Sequence, residues 1–412
     1  MAEAYIVATA RSPIGRAFKG SLKDLRPDDL AASMVRAALA QVPELDPGRV
    51  EDLLLGCGMP GGEQGMNMAR IVAVLLGLDG VPGTTVNRYC SSSLQTTRMA
   101  FHAIKAGEGD VFISAGVESV SNAMRGSSDD IPGEKLTNAR FDEAEARTAA
   151  RAQGGADAAG LRPWHDPCED GLLPDAYIAM GQTAENVAEL RGVTRDDQDA
   201  FAARSQQRAE AAIASGFWAN DITPVTLDDG TVVSADDGPR AGVTIEALAG
   251  LDPVFRPDGT VTAGNCCPLN DGAAAVVVVS DRIVDELGLQ PLARIVSTGV
   301  SGLSPEIMGL GPVEASRRAL ARAGLSIDDI DLVEINEAFA AQVIPSAREL
   351  GVVESRLNVH GGAIAVGHPF GMTGARITST LINGLAATGG RYGLETMCVG
   401  GGQGMALVLE RV

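Results

Sequence analysis

Short apolar runs rich in β-branched residues alternate along this chain with Ala-rich stretches in which apolar positions recur every three or four residues. Runs of the first kind are typical of buried strands, and stretches of the second kind are typical of amphipathic helices. Because the two kinds alternate almost throughout, the pattern predicts an α/β fold. The predicted strands are residues 3–10, 52–57, 84–88, 110–116, 273–280, 292–300, 332–336, 358–364, 392–401 and 404–411. The predicted helices are residues 28–41, 66–76, 92–106, 183–191, 195–215, 312–323 and 371–387.

The same succession of elements occurs twice. Residues 28–57 and 311–336 both contain an Ala-rich helix, a turn, an acidic position and an apolar strand. Residues 84–119 and 357–403 both contain a strand, a polar loop, a helix, a Gly-rich turn and a second strand. An internal repeat of this kind predicts two similar α/β halves.

One long segment, residues 123–251, interrupts the repeated plan. It begins with a stretch of low hydrophobicity, continues with long polar helices and ends in loops rich in Gly, Pro and Asp. We interpret it as a loop domain that is inserted in the first half and covers it. The first half then comprises residues 1–122 and 252–290, and the second half comprises residues 291–412.

Composition and charge narrow the class of function. The chain has 412 residues, of which 45% are hydrophobic, and a formal net charge of −20. An acidic protein without a basic stripe is not expected to bind nucleic acid, because phosphate contacts need clustered Lys and Arg. Since the chain contains few lysines, a small polyanionic ligand has to be held locally by Arg side chains, helix N-termini and backbone N–H groups.

The sequence also predicts a cellular location. The N-terminal stretch MAEAYIVATARSPIG lacks the basic start, the apolar core and the cleavage site of a signal peptide, and no run of eighteen apolar residues predicts a membrane span. We therefore expect a cytoplasmic protein. Its six cysteines, which include the adjacent Cys266 and Cys267, do not form a disulfide framework, so a functional cysteine would be a nucleophile or a ligand.

Residues 56–61 follow a predicted strand and fit the pattern G-x-G-x-x-G of dinucleotide-binding loops. Pro60 interrupts this loop, and the next predicted strand ends in Arg88 rather than in an acidic residue that would hold the ribose. We interpret these glycines as a turn.

His165 and Cys168 could be half of a metal site. No matching pair of ligands follows at the expected spacing, and the surrounding sequence is typical of an exposed loop. We therefore expect no metal at this position.

Cys90 lies in the stretch TTVNRYCSSSLQ, where a predicted strand gives way to a helix. An internal cysteine is most often an apolar filler, but the N-terminus of a helix favours a thiolate. A thiolate needs a base, and His368 lies in the Gly-flanked loop before the corresponding helix of the second half. Packing of the two halves about a pseudo-twofold axis would bring His368 opposite Cys90.

Three further residues stand at predicted strand ends of the second half. Cys398 ends a strand and runs into the glycines that begin at Gly400, whose N–H groups can approach a ligand oxygen closely. Asn336 ends another strand, where it could equally cap a helix. A Gly-rich turn and a cap are ordinary alternatives, but residues of this kind at corresponding strand ends of two halves indicate a binding site.

The chain resembles the thiolase family over nearly its whole length. The resemblance rests on five motifs that occur in the family's order: VNRYCSSSLQ, TAGNCCPLNDGAAA, NEAFAAQ, GGAIAVGHPFGMTGAR and CVGGGQGMA. It implies a five-layered αβαβα core of two similar halves with an inserted loop domain. It further implies a homodimer or homotetramer that uses acyl-CoA and CoA, with no cofactor besides CoA as a co-substrate.

The resemblance implies a reaction and a role for each candidate residue. The family cleaves a 3-oxoacyl-CoA with CoA into acetyl-CoA and a shortened acyl-CoA, or runs the reverse Claisen condensation. Cys90, activated by His368, would be the nucleophile, and Cys398 would be the acid and base for carbon and for CoA. Asn336 with His368 would stabilise the enolate oxygen, and the N–H groups of Cys90 and Gly400 would hold the thioester oxyanion.

The resemblance also implies which residues contact CoA and the acyl chain. Arg240 matches a family arginine near the nucleotide end of CoA. Cys267 stands where the family often has a serine that contacts the pantetheine. The matching pocket positions are Met180, Phe255, Ala338 and Phe339.

Ala179 stands where acetoacetyl-CoA thiolases of the biosynthetic type commonly have a histidine. This difference favours a degradative thiolase of fatty acid β-oxidation type with a broader pocket. An enzyme specific for acetoacetyl-CoA is the alternative, and a non-catalytic, thiolase-like lipid-binding protein is a third. The nature of the acyl chain is left open by the sequence.

Overall fold

The computed structural model describes residues 2–123, 137–154 and 160–412, so parts of the predicted low-hydrophobicity stretch of the insertion lie outside the described residues. The strands are β1 (Ala4–Arg11), β2 (Gly15–Arg16), β3 (Asp52–Gly56), β4 (Gly83–Val86), β5 (Val111–Ser119), β6 (Val225–Thr226), β7 (Val232–Val233), β8 (Asn270–Ser280), β9 (Ala293–Gly302), β10 (Leu332–Ile335), β11 (Tyr392–Val399) and β12 (Gln403–Arg411). The helices are α1 (Pro27–Leu39), α2 (Met68–Leu75), α3 (Ser92–Ala106), α4 (Val120–Ala123), α5 (Asp142–Gln153), α6 (Met180–Arg191), α7 (Arg195–Ala214), α8 (Phe217–Asp221), α9 (Ile245–Ala249), α10 (Asp281–Leu287), α11 (Gly311–Ala323), α12 (Ala340–Leu350), α13 (Ala363–Val366) and α14 (Thr373–Thr388).

The order of the strands repeats from one half of the chain to the other. In the first half β3 pairs in parallel with β4 and β5, β5 pairs antiparallel with β8, and β8 pairs antiparallel with β1. In the second half β10 pairs in parallel with β11, β11 pairs antiparallel with β12, and β12 pairs antiparallel with β9. A parallel bridge between Val333 and Leu357 takes the place of the β3–β4 pairing. This confirms the two similar halves that the sequence repeat predicts.

Strand residues alternate between a central and an outer core. In β8, Val276 belongs to the central core that contains Leu94 of α3, whereas Val277 belongs to the outer core beneath α1. In β12, Leu407 faces the central core and Val408 faces an outer core beneath α11 and α12. Because successive side chains of a strand point to opposite faces, each sheet half carries helices on both sides. The result is the five-layered αβαβα core, with α3 and α14 in the middle layer.

The two central helices approach closely at a glycine. A Cβ atom on Gly374 of α14 would lie 2.2 Å from the Leu94 nitrogen of α3, so a larger residue is excluded there. Beside it, the Ala375 N–H donates to Ser93 Oγ over 2.9 Å. This contact brings together the N-terminal ends of both helices, where the candidate residues lie.

One predicted strand is wrong. Residues 358–364 do not form a strand, although Leu357 makes its single bridge just before them. Asn358 adopts a left-handed conformation with φ of 44°, which Asn tolerates better than most residues. Its side-chain amide then accepts from the Ile335 N–H and donates to the Ile335 carbonyl, both over 2.9 Å, in place of strand pairing.

Helix α2 begins two residues later than predicted, because Asn67 caps it by accepting from the Arg70 N–H and Met66 is left-handed with φ of 58°. Helix α6 begins three residues earlier than predicted, at Met180. Polar residues such as Gln182 hide this start in the sequence, because they are buried against the loop that follows the insertion, where Gln182 donates to the Phe255 carbonyl.

The sequence suggested that the inserted segment covers the first half. In the structure the segment contacts both halves. Its helices α6 and α7 pack against α12 and α13 of the second half. Its polar loops meet the first half, where Arg11 of β1 donates to Asp221 over 2.8 Å and to Asp236 over 2.5 Å. The insertion therefore ties the two halves together beside the ends of α3 and α14. The domain boundaries drawn from the sequence stay a prediction.

Candidate functional site

Cys90 lies in a one-turn helix, Tyr89–Ser91, that leads directly into α3. Tyr89 is left-handed with φ of 44°, and its N–H is held by Asn87 Oδ1 over 2.8 Å. Ser92 Oγ accepts from the Arg88 N–H over 2.9 Å and donates to the Tyr89 carbonyl over 2.7 Å. These local bonds fix a strained turn that holds Cys90 almost buried, 8% exposed, between β11 and α14.

The Cys90 thiol is held as a neutral group. Burial raises its pKa to about 12, and the negative charge of Glu118 acts in the same direction. The N–H groups of Gly400 and of Cys90 itself act in the opposite direction, because they stabilise the thiolate. The effect of the helix N-terminus that the sequence suggested is thus outweighed by burial, and the thiol needs a base when it reacts.

His368 is fully buried in the loop before α14, and its hydrogen bonds assign its tautomer. Thr373 Oγ1 donates its single proton to the Pro369 carbonyl over 2.6 Å and therefore accepts from His368 Nδ1, also over 2.6 Å. Nε2 then carries the lone pair and is the basic nitrogen. Burial and the positive charge of Arg376 lower the pKa of His368 to about 3, so the ring is neutral.

Asn336 directly follows β10 and reaches the same point. Its side-chain nitrogen lies 3.2 Å from His368 Nε2 and donates to it, while its Oδ1 is buried without a partner among the described residues. The Asn336 N–H donates to Thr396 of β11 over 3.0 Å, so the strand pairing continues one residue further and sets the position of the amide. Together the two side chains offer polar atoms to a ligand oxygen.

Cys398 lies at the end of β11 and is fully buried. Burial raises the pKa of its thiol well above 9, and the charge of a Cys90 thiolate would raise it further. The following Gly400 lies against the Tyr89 ring, because a Cβ atom on Gly400 would approach the ring to 3.2 Å. Arg88 donates to Gln403 over 2.8 Å, and Gln403 donates to the Gly400 carbonyl over 3.2 Å, which holds the glycine loop on the Cys90 turn.

The structure thus brings the predicted catalytic residues to one place at the ends of the central helices. It joins Cys90 to Gly400 and Cys398, and it joins His368 to Asn336. The hydrogen bonds of the described residues include none from Cys90 to His368. Catalytic hydrogen bonds are often long without substrate, so this does not separate the two residues functionally.

The predicted pocket residues also lie together. A cluster around Cys398 contains the predicted positions Met180, Phe255, Cys267, Ala338 and Phe339. The Phe255 and Phe339 rings meet edge to face with centroids 6.2 Å apart. This apolar wall beside the two thiols is suited to an acyl chain.

The remaining predicted contact, Arg240, lies on a cleft of about 580 Å³ that also reaches Cys267. Arg16 and Lys19 line the same cleft, together with apolar residues such as Ile364. The cleft therefore combines three cationic side chains with an apolar floor. It reaches Cys267, which belongs to the cluster around Cys398. A long ligand with phosphates at one end fits this distribution of charge.

The sequence did not single out Glu118, which organises the site. This buried carboxylate at the end of β5 accepts from the N–H groups of Gly58 and Gly371 over 2.8 Å each, from the Met59 N–H over 3.1 Å and from Gln64 over 2.9 Å. Gly371 belongs to the loop that carries His368. Glu118 therefore holds loops of both halves together. The sequence signal that could have identified it is a lone glutamate that follows an apolar strand.

Thr373 is the second residue that the sequence did not single out. Its bond to the Pro369 carbonyl, four residues earlier, is local, but its bond to His368 depends on the loop geometry. Helix α14 places the hydroxyl beneath the imidazole, because Thr373 is its first residue.

The two motifs set aside in the sequence have ordinary structural roles. Gly58 approaches Glu118 and Phe370 so closely that a Cβ atom would lie 2.7 Å and 2.9 Å from them, so the glycine pattern serves loop packing. Exposed His165 hydrogen-bonds to Asp170 over 2.8 Å. Among the residues that the structure describes, no helix is both long enough and apolar enough to cross a bilayer.

Comparison with known proteins gives matches along the whole chain. Residues 4–282 match the family described as "Thiolase, N-terminal domain", and residues 289–411 match "Thiolase, C-terminal domain". The chain is 45% identical to an Escherichia coli "Beta-ketoadipyl-CoA thiolase", with all of both chains covered. It is 43% identical to a Bacillus subtilis "3-ketoacyl-CoA thiolase", again with full coverage of both.

A solved structure agrees with these matches. The crystal structure of the Bacillus anthracis acetyl-CoA acetyltransferase superimposes with a TM-score of 0.86 and is 39% identical in sequence. The comparison covers all of this chain and 99% of that one.

Proposed function

Because this chain belongs to the thiolase family of acyltransferases, we propose that it cleaves a 3-oxoacyl-CoA with CoA into acetyl-CoA and a shortened acyl-CoA. The reaction is reversible as a Claisen condensation. The observation that carries the proposal is the pair of buried thiols, Cys90 and Cys398, which lie close enough that a Cys90 thiolate would raise the pKa of Cys398. A nucleophile and a separate acid for carbon are the two groups that this cleavage requires.

In the first half-reaction, His368 Nε2 takes the thiol proton of Cys90, and the sulfur bonds to the 3-keto carbon. The bond between C2 and C3 then breaks, and the electron pair goes to the enolate of acetyl-CoA. Asn336 and His368 stabilise the enolate oxygen, and Cys398 gives its proton to the enolate carbon. The tautomer of His368 supports this assignment, because Nε2 is the unprotonated nitrogen.

In the second half-reaction, the Cys398 thiolate takes the proton of the CoA thiol. The CoA sulfur attacks the acyl group on Cys90, and the Cys90 sulfur leaves and recovers the proton held by His368. The N–H groups of Cys90 and Gly400 hold the oxyanion, and removal of one such donor typically raises the barrier by about 3 kcal/mol. The contact between Gly400 and the Cys90 sulfur supports this role for the glycine loop.

CoA enters along the cleft lined by Arg16, Lys19 and Arg240, with its phosphates at the cationic end and its thiol near Cys267. Cys267 replaces a common family serine with a weaker hydrogen-bonding group, so the pantetheine is held here chiefly by apolar contacts. CoA is a co-substrate in this scheme, and no other cofactor takes part.

The acyl chain lies against the cluster of Met180, Phe255, Ala338 and Phe339. This apolar wall supports an uncharged chain in degradative, β-oxidation-type metabolism. The relative named "Beta-ketoadipyl-CoA thiolase" supports an acyl chain that ends in a second carboxylate. The neighbour named an acetyl-CoA acetyltransferase supports the narrower alternative, an enzyme specific for acetoacetyl-CoA.

We also propose that the protein is a homodimer or homotetramer in the cytoplasm. Strand β4 is the last strand at one end of the sheet, and nearby α2 exposes Ile71, Val74 and Leu75. An open strand edge beside exposed apolar side chains favours association with a second copy. Sedimentation velocity of the wild type and of Val74→Lys tests this assembly.

Trapping of the acyl-enzyme tests the proposed reaction. The protein is incubated with acetoacetyl-CoA, a medium-chain 3-oxoacyl-CoA and 3-oxoadipyl-CoA, with and without CoA, and its peptides are analysed by mass spectrometry. We expect an acyl group on Cys90 that CoA removes, in the wild type and in a Cys266→Ala control. Absence of acylation at Cys90 with every substrate would overturn the proposal, and the rates with the three substrates decide among the acyl chains.

A further inference from the structure

A second cleft lies away from the thiols, between α3, β9 and α11. It has a volume of about 350 Å³. Its lining residues are Arg98, Phe101, His102, Val296, Ser297, Thr298 and Arg322. We propose that this cleft binds a small phosphate-bearing anion, independently of the catalytic function.

Two arginines of the cleft are anchored on the same residue. Arg98 Nε donates to Thr298 Oγ1 over 3.3 Å, and Arg322 Nη1 donates to the Thr298 carbonyl over 2.6 Å. The other guanidinium N–H groups of both side chains make no hydrogen bond to the described residues, and neither side chain forms an ion pair with them. Thr298 thus holds two guanidinium groups side by side with donors available to a ligand.

The charged groups that act on Arg98 and on His102 are all of one sign. The charged groups that act on Arg98 are Arg88 and Arg322, and those that act on His102 are Arg98 and Arg322. Burial, followed by these charges, lowers the pKa of Arg98 and of His102. This repulsion is uncompensated, and a bound anion would relieve it.

Basic side chains elsewhere on the same helix and strand do have acidic partners. On the same helix, Lys105 pairs with Glu3 over 2.7 Å, and on the same strand, Arg294 pairs with Glu410 over 2.6 Å. A chain with 53 acidic and 33 basic residues has carboxylates to spare for such pairs. None of the acidic residues that the structure describes lines the cleft, which leaves its cationic groups to a ligand from solution.

The chemistry of the lining favours phosphate. Two neighbouring guanidinium groups match the geometry and the double charge of a phosphate, which they can bind through paired N–H donors. The Phe101 side chain adds an apolar wall suited to the organic part of a phosphate ester. The cleft shares none of its lining residues with the CoA cleft around Arg240, so the two sites can be tested separately.

Titration of the whole protein with inorganic phosphate tests the site. The four histidines of the chain give few imidazole resonances, so NMR at constant ionic strength can follow them singly. We expect the His102 resonances to shift saturably with phosphate and those of exposed His165 to stay unchanged. Chloride at equal ionic strength should not reproduce the shift. An unchanged His102 would overturn the proposal without any variant.

Variants then assign the binding by calorimetry. We expect Arg98→Gln with Arg322→Gln to weaken phosphate binding at least tenfold, and Arg322→Lys alone to weaken it several-fold because the planar fork is lost. Arg318→Gln, on the same helix but paired with Glu314, serves as the matched control that keeps this binding. Equal phosphate affinity in the double variant and the wild type would refute the site, whether or not the protein proves to be a thiolase.

Discussion

The two halves of the sheet share one strand order but place different side chains at corresponding strand ends. When Leu53 of β3 is matched with Leu332 of β10, Cys57 corresponds to Asn336, and the parallel pairings make Glu118 correspond to Cys398. Glu118 accepts from five donors, which include the Cys57 thiol over 3.8 Å, whereas Cys398 lies beside the proposed nucleophile with its thiol protonated.

This difference shows that the two halves of a duplicated fold can contribute different functional groups. The first half supplies Cys90 and the carboxylate that fixes the loops, and the second half supplies His368, Asn336 and Cys398. A backbone repeat brings strand ends together by symmetry, but it does not decide which side chains stand there. Substitutions at corresponding positions should therefore have unequal effects.

The largest effect is expected for Cys398→Ala. A positioned acid and base contributes about 10²- to 10⁴-fold, and Cys398 serves two proton transfers, so we expect kcat for thiolysis to fall by about 10³-fold or more. Acyl transfer from a simple acyl-CoA to Cys90 should stay detectable by mass spectrometry. Cys168→Ala, which removes an exposed thiol, is the control. Full thiolysis by Cys398→Ala would contradict the acid and base role.

A smaller effect is expected for Glu118→Gln at the corresponding position. Glutamine offers one acceptor oxygen where five donors converge, so the loop with Gly371 should shift relative to Cys90. A displacement of about 1 Å can lower a rate by about 10²-fold, and we expect a fall in kcat of that order with little change in KM. Glu395→Gln is the matched control, because this buried carboxylate bonds only to Thr378 among the described residues. Equal kcat for Glu118→Gln and the wild type would show that the hydrogen bonds of the Glu118 carboxylate are not needed for catalysis.

The pH dependence of Cys90 sharpens the same comparison. Because its pKa is raised to about 12, the thiolate fraction and the rate of alkylation should rise about tenfold per pH unit from 7 to 10. Loss of the Glu118 charge in Glu118→Gln should lower the pKa of Cys90 and shift this profile to lower pH. Alkylation is followed by mass spectrometry, and a plateau below pH 9 in the wild type would contradict the raised pKa.

The raised pKa of Cys90 also determines how the stability of the protein changes with pH. Folding favours the protonated thiol, so its contribution to the free energy of unfolding is present below pH 9 and is lost as the pH rises from 9 to about 12. The contribution of His368 has the opposite dependence. Its pKa is lowered to about 3, so stability present above pH 6.5 is lost as the pH falls towards 3.

The smallest effect is expected for Cys57→Ala. Cys57 is a buried thiol whose pKa burial raises well above 9, and it donates to Glu118 over a long distance of 3.8 Å but takes no part in the proton transfers of the proposed reaction. We expect kcat within about threefold of the wild type and a loss of about 1 kcal/mol in the free energy of unfolding, measured by urea titration. Asn336→Ala at the corresponding position should instead lower kcat by about 10²- to 10³-fold. Similar kinetics for the two variants would remove the functional distinction between the halves.

Much of the fold could be predicted from the sequence, because strongly periodic segments form helices and strands through local interactions. Helix α3 was predicted with its observed bounds, and the repeated order of helix, turn and strand indicated the two halves. The strand at residues 358–364 was wrong because Asn358 replaces strand hydrogen bonds with its side chain. Such a substitution depends on β10, which is distant in the sequence.

The sequence by itself determined an α/β fold of two similar halves and the candidates Cys90, His368, Asn336 and Cys398, because motifs and periodicity are local patterns. The motifs also indicated the thiolase family, and the resemblance to it implied the five-layered core. Only the tertiary structure decided that the Cys90 thiol is neutral and that His368 presents Nε2. It also decided that Glu118 fastens the loops and that Arg98 and Arg322 stand together without an ion-pair partner in the part of the chain that the structure describes. Burial, charge and shared hydrogen bonds depend on residues that are far apart in the chain, so their effects exist only once the chain has folded.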